Sequence, residues 1–371
     1  MFDASAKKVK NNISLNEALY KGPSLSSDLF NILVKFRTYP IALTADIEKA
    51  FLQIGIDPLH RDYLRFLWFR DVNDPNSEIV KYRFTRVPFG TTSSPFLLNG
   101  TVKKHASKYV DINPEFARKI SEDFYYDDLN TGTNSVHDGI EFYEKTKSRF
   151  MEAGFNIVKW RTNNTELRNL IGQRENSVST SLIGKKILGI PWCETNDTLS
   201  IDFNELYLEI KDLLPTKRNI LKGVASVYDP LGLIQPVIIK MKLLFQDVCN
   251  NFDNWDEIIS EDLVYKWRDI IADLKRFKDI NLERCYFSTD INDPVEKVYL
   301  HGFSDASERA YTACVYIKSI TKSGNTKIKL VAAKNRLVPS KKNLTIPRLE
   351  LLGNFILSKL MDSFRVFSKF I

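Results

Sequence analysis

The sequence has no long apolar run and few cysteines. Its 371 residues include no stretch of about 18 uncharged apolar residues, and residues 1–10 carry three lysines without the apolar core of a signal peptide. The four cysteines are far apart and form no CxxC pair, which argues against a disulfide framework or a zinc ribbon. Internal repeats and low-complexity segments are also lacking. With 43% hydrophobic and 27% charged residues, we expect an intracellular, cytoplasmic protein of two or three packed domains with no membrane partner.

Positive charge is concentrated at the two ends of the chain. Residues 318–371 carry a net charge of +10 and residues 1–40 a net charge of +3, whereas residues 41–317 carry −6. A basic end and an acidic centre fit a polyanion-binding surface beside a carboxylate-rich cation site. Solvated lysines on strand and loop faces explain the same charges equally well.

The spacing of apolar residues predicts a mixture of helices and strands. Leu29, Ile32, Leu33 and Phe36 have helical spacing, so one helix ends before Pro40. Ser94 followed by Pro95 is typical of a helix N-cap and first turn. We expect strands at 41–46, 63–69, 79–84, 155–160, 298–303, 310–317 and 327–333, a hairpin at 124–132, and helices at 138–154, 258–274 and from 347 onward.

Three aspartates form the strongest chemical signal. Asp46 ends an apolar strand, and Asp127 and Asp128 lie in an aromatic-flanked turn. Neighbouring carboxylates repel each other unless a cation holds them, and hard oxygen ligands suit two magnesium ions about 3.5–4 Å apart. An Asp-Asp pair alone is a weak signal, because a solvated turn explains most such pairs. Its combination with a strand-terminal aspartate indicates a metal site more strongly.

These residues lie in motifs that resemble those of reverse transcriptases. The matching stretches are 44–54, 87–90, 94–96 and 125–129, in the family's order and spacing. The amino-acid sequence of these motifs most resembles that of the Bel/Pao group of long-terminal-repeat retrotransposon polyproteins, and the resemblance covers nearly the full length of the chain. The resemblance implies an α+β right-hand polymerase with partial fingers, palm and thumb, followed by an incomplete ribonuclease H-like α/β domain. The implied boundaries are 1–215 for fingers and palm, 216–290 for the thumb and connection, and 291–371 for the last domain.

The same resemblance implies a site and a reaction. Asp46 and Asp127 would bind two Mg²⁺ ions, or Mn²⁺ in their place, with the backbone carbonyl of Ile47 assisting and Asp128 completing the cluster. The enzyme would be an RNA-directed DNA polymerase whose partners are a primed RNA or DNA template and a dNTP. The oligomeric state stays open. The implied nucleotide-binding residues are Ile47, Phe51, Phe89, Gly90 and Lys159, with Phe51 excluding a 2′-hydroxyl and Lys159 near the leaving pyrophosphate.

Each of these residues also has a simpler interpretation. Phe51 alone would be read as a core phenylalanine, Gly90 as a loop glycine and Lys159 as an exposed strand lysine. By the resemblance, Leu188-Gly189 corresponds to the hairpin that grips the primer terminus.

In the last segment, Asp305 and Glu350 would be the first two carboxylates of a ribonuclease H-like site. This fold normally adds two aspartates further downstream, so we expect the site to be incomplete and ribonuclease activity to be doubtful. Family members also carry basic finger residues upstream of Phe2, so polymerase activity of this chain could be weak or absent.

Two alternatives stay open. The region after the palm has been classed as a Pao-type aspartic peptidase, and Asp305-Ala306-Ser307 resembles the Asp-Ser/Thr-Gly of such enzymes except for the missing glycine. The chain could instead be an inactive nucleic-acid-binding remnant of a retrotransposon.

Overall fold

The computed structural model describes residues 3–175, 186–252, 254–277, 280–290, 292–340 and 344–365. The chain divides into two compact units. Unit 1 consists of Met1–Asp28 and Ile41–Arg174, and unit 2 of Leu29–Pro40 and Glu175–Ile371. The segment that precedes the strand with Asp46 thus belongs to unit 2, which apolar patterning does not reveal.

Helices and strands alternate along the described chain. The helices are α1 (Leu15–Ala18), α2 (Leu29–Phe36), α3 (Ala50–Gln53), α4 (Ser94–Ala106), α5 (Pro114–Glu122), α6 (Val136–Glu152), α7 (Thr165–Arg174), α8 (Phe203–Ile210), α9 (Lys217–Ser226), α10 (Gln235–Asn251), α11 (Glu261–Arg276) and α12 (Ile346–Arg365). The strands are β1 (Ile41–Ile47), β2 (Arg65–Phe69), β3 (Ile79–Arg83), β4 (Phe124–Tyr125), β5 (Asp128–Thr133), β6 (Ile157–Thr162), β7 (Lys186–Ile187), β8 (Ile190–Cys193), β9 (Thr198–Ile201), β10 (Ile280–Glu283), β11 (Val295–Ala306), β12 (Ala310–Thr321) and β13 (Thr326–Leu337).

Unit 1 is built on a four-stranded sheet of order β4-β5-β1-β6. The apolar strand β1 pairs antiparallel with both β5 and β6, and most of its residues are buried. A strand buried on both faces must be apolar throughout, which explains the run at residues 41–45. Leu98, Ile120 and Phe150 from α4, α5 and α6 lie in the same apolar core as β1.

The helices of unit 1 begin at local signals. Asn113 accepts a hydrogen bond from the amide of Phe116 at α5, and Ser135 accepts one from the amide of Asp138 at α6. The cap expected at Ser94 is shifted by one residue, because α4 begins at Ser94 and Ser93 occupies the cap position without a capping bond. The hydroxyl of Ser94 instead donates to the carbonyl of Pro88 at 2.7 Å.

A separate hairpin of unit 1 is formed by β2 and β3, which pair antiparallel from Arg65 opposite Arg83 to Phe69 opposite Ile79. Its expected start at residue 63 is wrong, because residues 58–63 form a 3₁₀ helix. Likewise the strand expected from residue 155 begins at Ile157.

The helices α8 to α11 of unit 2 share an apolar core. Ile220, Met241 and Trp267 are almost fully buried there, and the apolar face predicted for 258–274 contributes Leu263, Trp267, Ile270 and Leu274. Ile258 and Ile259 precede the helix, which begins at Glu261.

Two sheets complete unit 2. One has the order β10-β9-β8-β7, and the other has three antiparallel strands in the order β11-β12-β13. Helix α12 packs on the second sheet, where Gly353 comes within 3.5 Å of the carbonyls of Asp305 and Thr312 if a Cβ is built on it. The expected α+β class is confirmed. In the described part of the chain, no helix is both long and apolar enough to span a bilayer.

Candidate active site

The register of β1 and β5 places two of the predicted aspartates side by side. Asp46 lies directly opposite Asp128, and the amide of Ile47 donates to the carbonyl of Asp127 at 3.0 Å. Residues directly opposite each other in an antiparallel pair share one face of the sheet, with Cα atoms about 4.5–5.5 Å apart. The fold therefore places the aspartates predicted at positions 46, 127 and 128 at the same end of the β1–β5 pair.

The turn that carries Asp127 has an uncommon backbone. Residues 126 and 127 connect β4 to β5, and Tyr126 has a φ of 56°. A left-handed conformation costs a bulky L residue roughly 1–2 kcal/mol. The ring of Tyr126 packs against that of Tyr125, with centroids 4.8 Å apart. The aromatic flank noticed in the sequence thus supports the turn that presents Asp127.

A β-bulge aims Lys159 at the same face. In the pairing of β1 with β6, Thr44 is opposite Arg161 and Asp46 is opposite Val158, so two residues of β6 face one of β1. Lys159, one of these two, has a φ of 57°. Bulges redirect side chains in this way, and Lys159 Nζ lies 2.7 Å from Asp46 Oδ2. Apolar periodicity could not reveal this contact, because a bulge breaks the alternation on which such a prediction depends.

The pKa values of Asp127, Asp128 and Lys159 are shifted by their surroundings in this cluster. The pKa of Asp128 is raised to about 6, first because protein atoms displace water from its carboxyl group and then because Asp127 and Asp46 are negatively charged. Burial is also the first cause that raises the pKa of Asp127. The hydrogen bond to Asp46 is the main reason why the pKa of Lys159 is raised, so this side chain stays protonated at neutral pH.

The donor set suits a divalent cation of the magnesium type, which prefers carboxylate and carbonyl oxygens. In the described residues, the oxygens of Asp46, Asp127 and Asp128 do not all lie within 4.8 Å of one another; the group that meets this criterion is His137, Asp138 and Glu141, exposed at the start of α6. Asp46 is instead paired with Lys159. A cation that bound the three aspartates would compete with Lys159 for Asp46.

Phe51, Phe89 and Gly90 form one surface of unit 1. Phe51 lies on α3, packs against the core, and meets the ring of Phe89 edge to face at a centroid distance of 5.0 Å. Gly90 has a φ of 88°, a conformation that glycine adopts without strain.

Asn16 is a site residue that the motifs do not reveal. Its side chain donates to the carbonyl of Gly90 at 3.0 Å and accepts from the amide of Thr92 at 2.9 Å. The distance of 74 residues between Asn16 and Gly90 leaves no local signal for this contact.

In unit 2, Asp305 and Glu350 lie near the contact of β11 with α12. Asp305 is exposed on β11 opposite Thr312, and Ser304 donates to Asn354 of α12 at 2.8 Å. Glu350 precedes Gly353 by three residues, which places both on one face of the helix. The two carboxylates predicted from the last segment therefore occupy neighbouring elements.

Two family models match the chain. The model described as reverse transcriptase (RNA-dependent DNA polymerase) matches residues 6–175, and the model described as Pao retrotransposon-like RNaseH-like domain matches residues 216–367. The first range contains the three site aspartates, and the second contains Asp305 and Glu350. No curated protein matches the chain.

Solved structures from foamy virus have a similar fold. The protease-reverse transcriptase dRH in complex with double-stranded DNA matches with a TM-score of 0.56 and 17% identity, over 94% of this chain and 52% of that one. The protease-reverse transcriptase in complex with an RNA/DNA hybrid matches with a TM-score of 0.53 and 17% identity, over 91% of this chain and 39% of that one. The chain thus spans about half or less of either relative. At this identity the likeness concerns the fold, and it confirms the expected polymerase architecture with a ribonuclease H-like end.

Proposed function

We propose that this chain, in which residues 6–175 match the reverse transcriptase model and residues 216–367 match the Pao retrotransposon-like RNaseH-like model, transfers a nucleotide from a dNTP to a primer 3′-hydroxyl. The register that sets Asp46 opposite Asp128, with Asp127 in the adjoining turn, supports this proposal most directly. The acidic cluster lies on the central strand and its neighbour, where the backbone is fixed by pairing on both sides.

Reverse transcriptases normally use divalent metal ions. Two Mg²⁺ ions, or Mn²⁺ in their place, would activate the hydroxyl and neutralise the triphosphate. In the proposal Asp46 and Asp127 would hold these ions with the carbonyl of Ile47, and Asp128 would add negative charge. The protonated amine of Lys159, which lies 2.7 Å from Asp46 Oδ2, would donate a proton to the leaving pyrophosphate.

We assign nucleotide recognition to the surface of Phe51, Phe89 and Gly90. The ring of Phe51 is buttressed by Phe89 and would collide with a 2′-hydroxyl. Asn16 holds the carbonyl of Gly90, which fixes the loop where a nucleotide needs close backbone approach.

The proposed partners are a primed RNA or DNA template and a dNTP. The two foamy viral relatives were solved with double-stranded DNA and with an RNA/DNA hybrid. We propose that the helices of residues 216–290 form the thumb on such a duplex and that residues 291–371 form the ribonuclease H-like domain, with residues 1–215 as fingers and palm. Asp305 and Glu350 would be two carboxylates of the site in this last domain.

Primer extension tests the proposal. With poly(rA), an oligo(dT) primer, dTTP and Mg²⁺, the natural chain should incorporate nucleotide, and Asp46→Asn or Asp127→Asn should reduce the rate by at least about a hundredfold, because each removes a ligand charge. Asp111→Asn is the matched control, since Asp111 is an exposed aspartate of the same unit outside both carboxylate groups.

Equal incorporation by the natural chain and Asp46→Asn would remove the polymerase assignment. Hybrid binding without incorporation, unaffected by Asp127→Asn, would favour the inactive remnant. The peptidase alternative requires metal-free peptide cleavage that a pepstatin-like compound inhibits; the family match of residues 216–367 is to an RNaseH-like domain instead.

A further inference from the structure

The hairpin of β7 and β8 presents a tight turn. Ile187 pairs with Ile190, both are buried, and Leu188 and Gly189 form the turn with φ values of 45° and 91°. Two successive positive φ angles are typical of a type I′ hairpin turn. By the resemblance to reverse transcriptases, this turn corresponds to the hairpin that grips the primer terminus.

Tyr228 holds this turn from another part of unit 2. Its hydroxyl donates to the carbonyl of Leu188 at 2.6 Å. Its ring covers Gly189 so closely that a Cβ on Gly189 would lie 2.5 Å from Tyr228 Cε1. The turn therefore has one hydrogen bond and one face contact with the same side chain, across 40 residues of sequence.

The segment that carries Tyr228 is itself fixed. The Asp229 carboxylate accepts from the amides of Leu233 and Ile234 at 2.7 and 3.0 Å, just before α10. The amide of Ala333 on β13 donates to the carbonyl of Leu231 at 3.0 Å. Residues 228–232 thus connect the hairpin, helix α10 and the β11–β13 sheet.

Gly232 shows how closely this segment approaches β13. It has a φ of 73°, and a Cβ built on it would lie 1.7 Å from the carbonyl oxygen of Ala333. A backbone pressed against a strand cannot shift freely, so Tyr228 projects from a rigid base.

Because a cavity lies beside the hairpin, the turn depends more on its contact with Tyr228. A space of about 230 Å³ lies beside the hairpin and is lined by parts of β8, β9, α8 and the segment 226–234. Where a cavity borders an element, packing atoms are missing on that side.

We propose that Tyr228 is a positioning residue that fixes the Leu188–Gly189 turn for the primer terminus. This inference rests on the proposed polymerase function and deepens it. Tyr228 contacts the turn and not the reacting atoms, so its loss should weaken the hold on primer-template and leave dNTP recognition, which we assign to unit 1, unchanged.

The variants separate the two contacts. Tyr228→Phe removes the hydrogen bond and keeps the ring, Tyr228→Ala removes both, and Gly189→Ala introduces a clash with the ring. Tyr299→Phe is the matched control, because Tyr299 is a tyrosine of the same unit with 47% exposure against 51% for Tyr228.

Three measurements on the full chain test the inference. They are the KM for oligo(dT)/poly(rA) and for dTTP, the dissociation constant of the same fluorescent primer-template by anisotropy, and amide hydrogen exchange of residues 186–193. Tyr228→Phe should raise the KM and dissociation constant for primer-template by roughly two- to tenfold, the effect of one hydrogen bond, with the KM for dTTP within about twofold. Exchange of the hairpin amides should accelerate, whereas Tyr299→Phe should change none of these.

Gly189→Ala should weaken primer-template binding more than Tyr228→Phe. Combining it with Tyr228→Ala should cost less than the product of the two single effects, because the clash is lost with the ring and only the backbone strain at position 189, where φ is 91°, remains. The inference would be overturned if the double variant's loss of affinity equalled the product of the two single losses. It would also be overturned if Tyr228→Phe left primer-template affinity unchanged, even with faster amide exchange in the hairpin. If the natural chain does not extend primers, the proposed polymerase function fails, and anisotropy with hydrogen exchange still decides the role of Tyr228.

Discussion

Three residues that are not glycine have left-handed backbone beside the acidic cluster. Lys49, Tyr126 and Lys159 have φ values of 49°, 56° and 57°. Each of them follows or precedes a site aspartate by no more than three residues or is hydrogen-bonded to one. Backbone strain of this kind persists only where the surrounding structure imposes it. The β4-β5-β1-β6 sheet is therefore less stable than it could be, because its backbone is strained where Asp46, Asp127 and Lys159 are placed.

The role proposed for Phe51 leads to a prediction about sugar selection. Phe51→Val should raise the incorporation of rUTP relative to dTTP by roughly ten- to a hundredfold, because a smaller side chain leaves room for the 2′-hydroxyl. Single-nucleotide incorporation with each triphosphate measures this ratio. Phe51→Tyr is the control, since it keeps the ring and should keep the discrimination. A ratio that Phe51→Val leaves unaltered would show that Phe51 is only a core residue.

The raised pKa of Asp128 predicts how stability depends on pH. Between about pH 4 and 6 the folded chain binds a proton at Asp128 that the unfolded chain has released, so this residue's contribution to stability falls as the pH rises through that window. Mg²⁺ should oppose this fall by neutralising the carboxylates, and should raise the Tm more at pH 7.5 than at pH 5.

Thermal unfolding in EDTA and in Mg²⁺ measures both effects. Asp128→Asn should flatten the EDTA profile over this window and reduce the shift that Mg²⁺ produces. A Mg²⁺ shift that is equal at both pH values would contradict a metal site at these carboxylates.

Among the elements of unit 2, a buried arginine connects the loop after α2 to the β8–β10 region. Arg284 is fully buried, donates to both oxygens of Asp197 at 2.6 and 2.7 Å, and donates to the carbonyls of Phe36, Tyr39 and Pro40. Together with Arg37, which donates to the carbonyls of Glu283 and Arg284, this side chain explains why residues 29–40 belong to unit 2, although they precede β1 in the sequence.

Arg284→Met should destabilise unit 2 by about 3–5 kcal/mol, because Asp197 loses its guanidinium partner and three carbonyls lose a donor. Urea unfolding followed by circular dichroism measures the change in free energy of unfolding. Arg218→Met is the matched control, since the Arg218 and Asp256 pair has the same bidentate geometry but is exposed, and it should have a much smaller effect. Equal effects of the two variants would contradict the structural role of Arg284.

Local patterns predict elements well where an apolar run or an apolar face marks them. The helix before Pro40, the strand at β1 and the hairpin of β4 and β5 are confirmed. Helix α5 went unpredicted because only Phe116, Ala117 and Ile120 of its nine residues are apolar; its clearest signal is the cap and first turn at Asn113 and Pro114. Strand order β4-β5-β1-β6 and the contacts of Lys159, Asn16 and Tyr228 depend on register and on distant residues, which periodicity does not encode.

At the scale of the whole chain, the positive charge of residues 318–371 fits the proposed partner, a nucleic-acid duplex with negatively charged phosphates. Many of the cations of residues 318–371 lie on the strands of the β11–β13 sheet. Lys334 and Arg336 of β13 are both exposed and, two residues apart, project from the same face. A face of this kind suits the phosphates of a duplex, whereas solvated cations without a partner would serve only solubility.

Salt dependence distinguishes these two roles. If both side chains contact phosphates, the Lys334→Ala/Arg336→Ala variant should weaken binding to hybrid and to double-stranded DNA alike. It should also reduce the slope of log affinity against log salt by about 2, one unit for each lost contact. Fluorescence anisotropy at several salt concentrations between about 50 and 200 mM gives the affinities from which this slope is determined. Lys145→Ala/Arg174→Ala is the charge-matched control, because these two cations are already paired with Glu141 and Glu144. If the slopes of both double variants equal that of the natural chain, the basic face is only a solvated surface and the duplex must be held elsewhere.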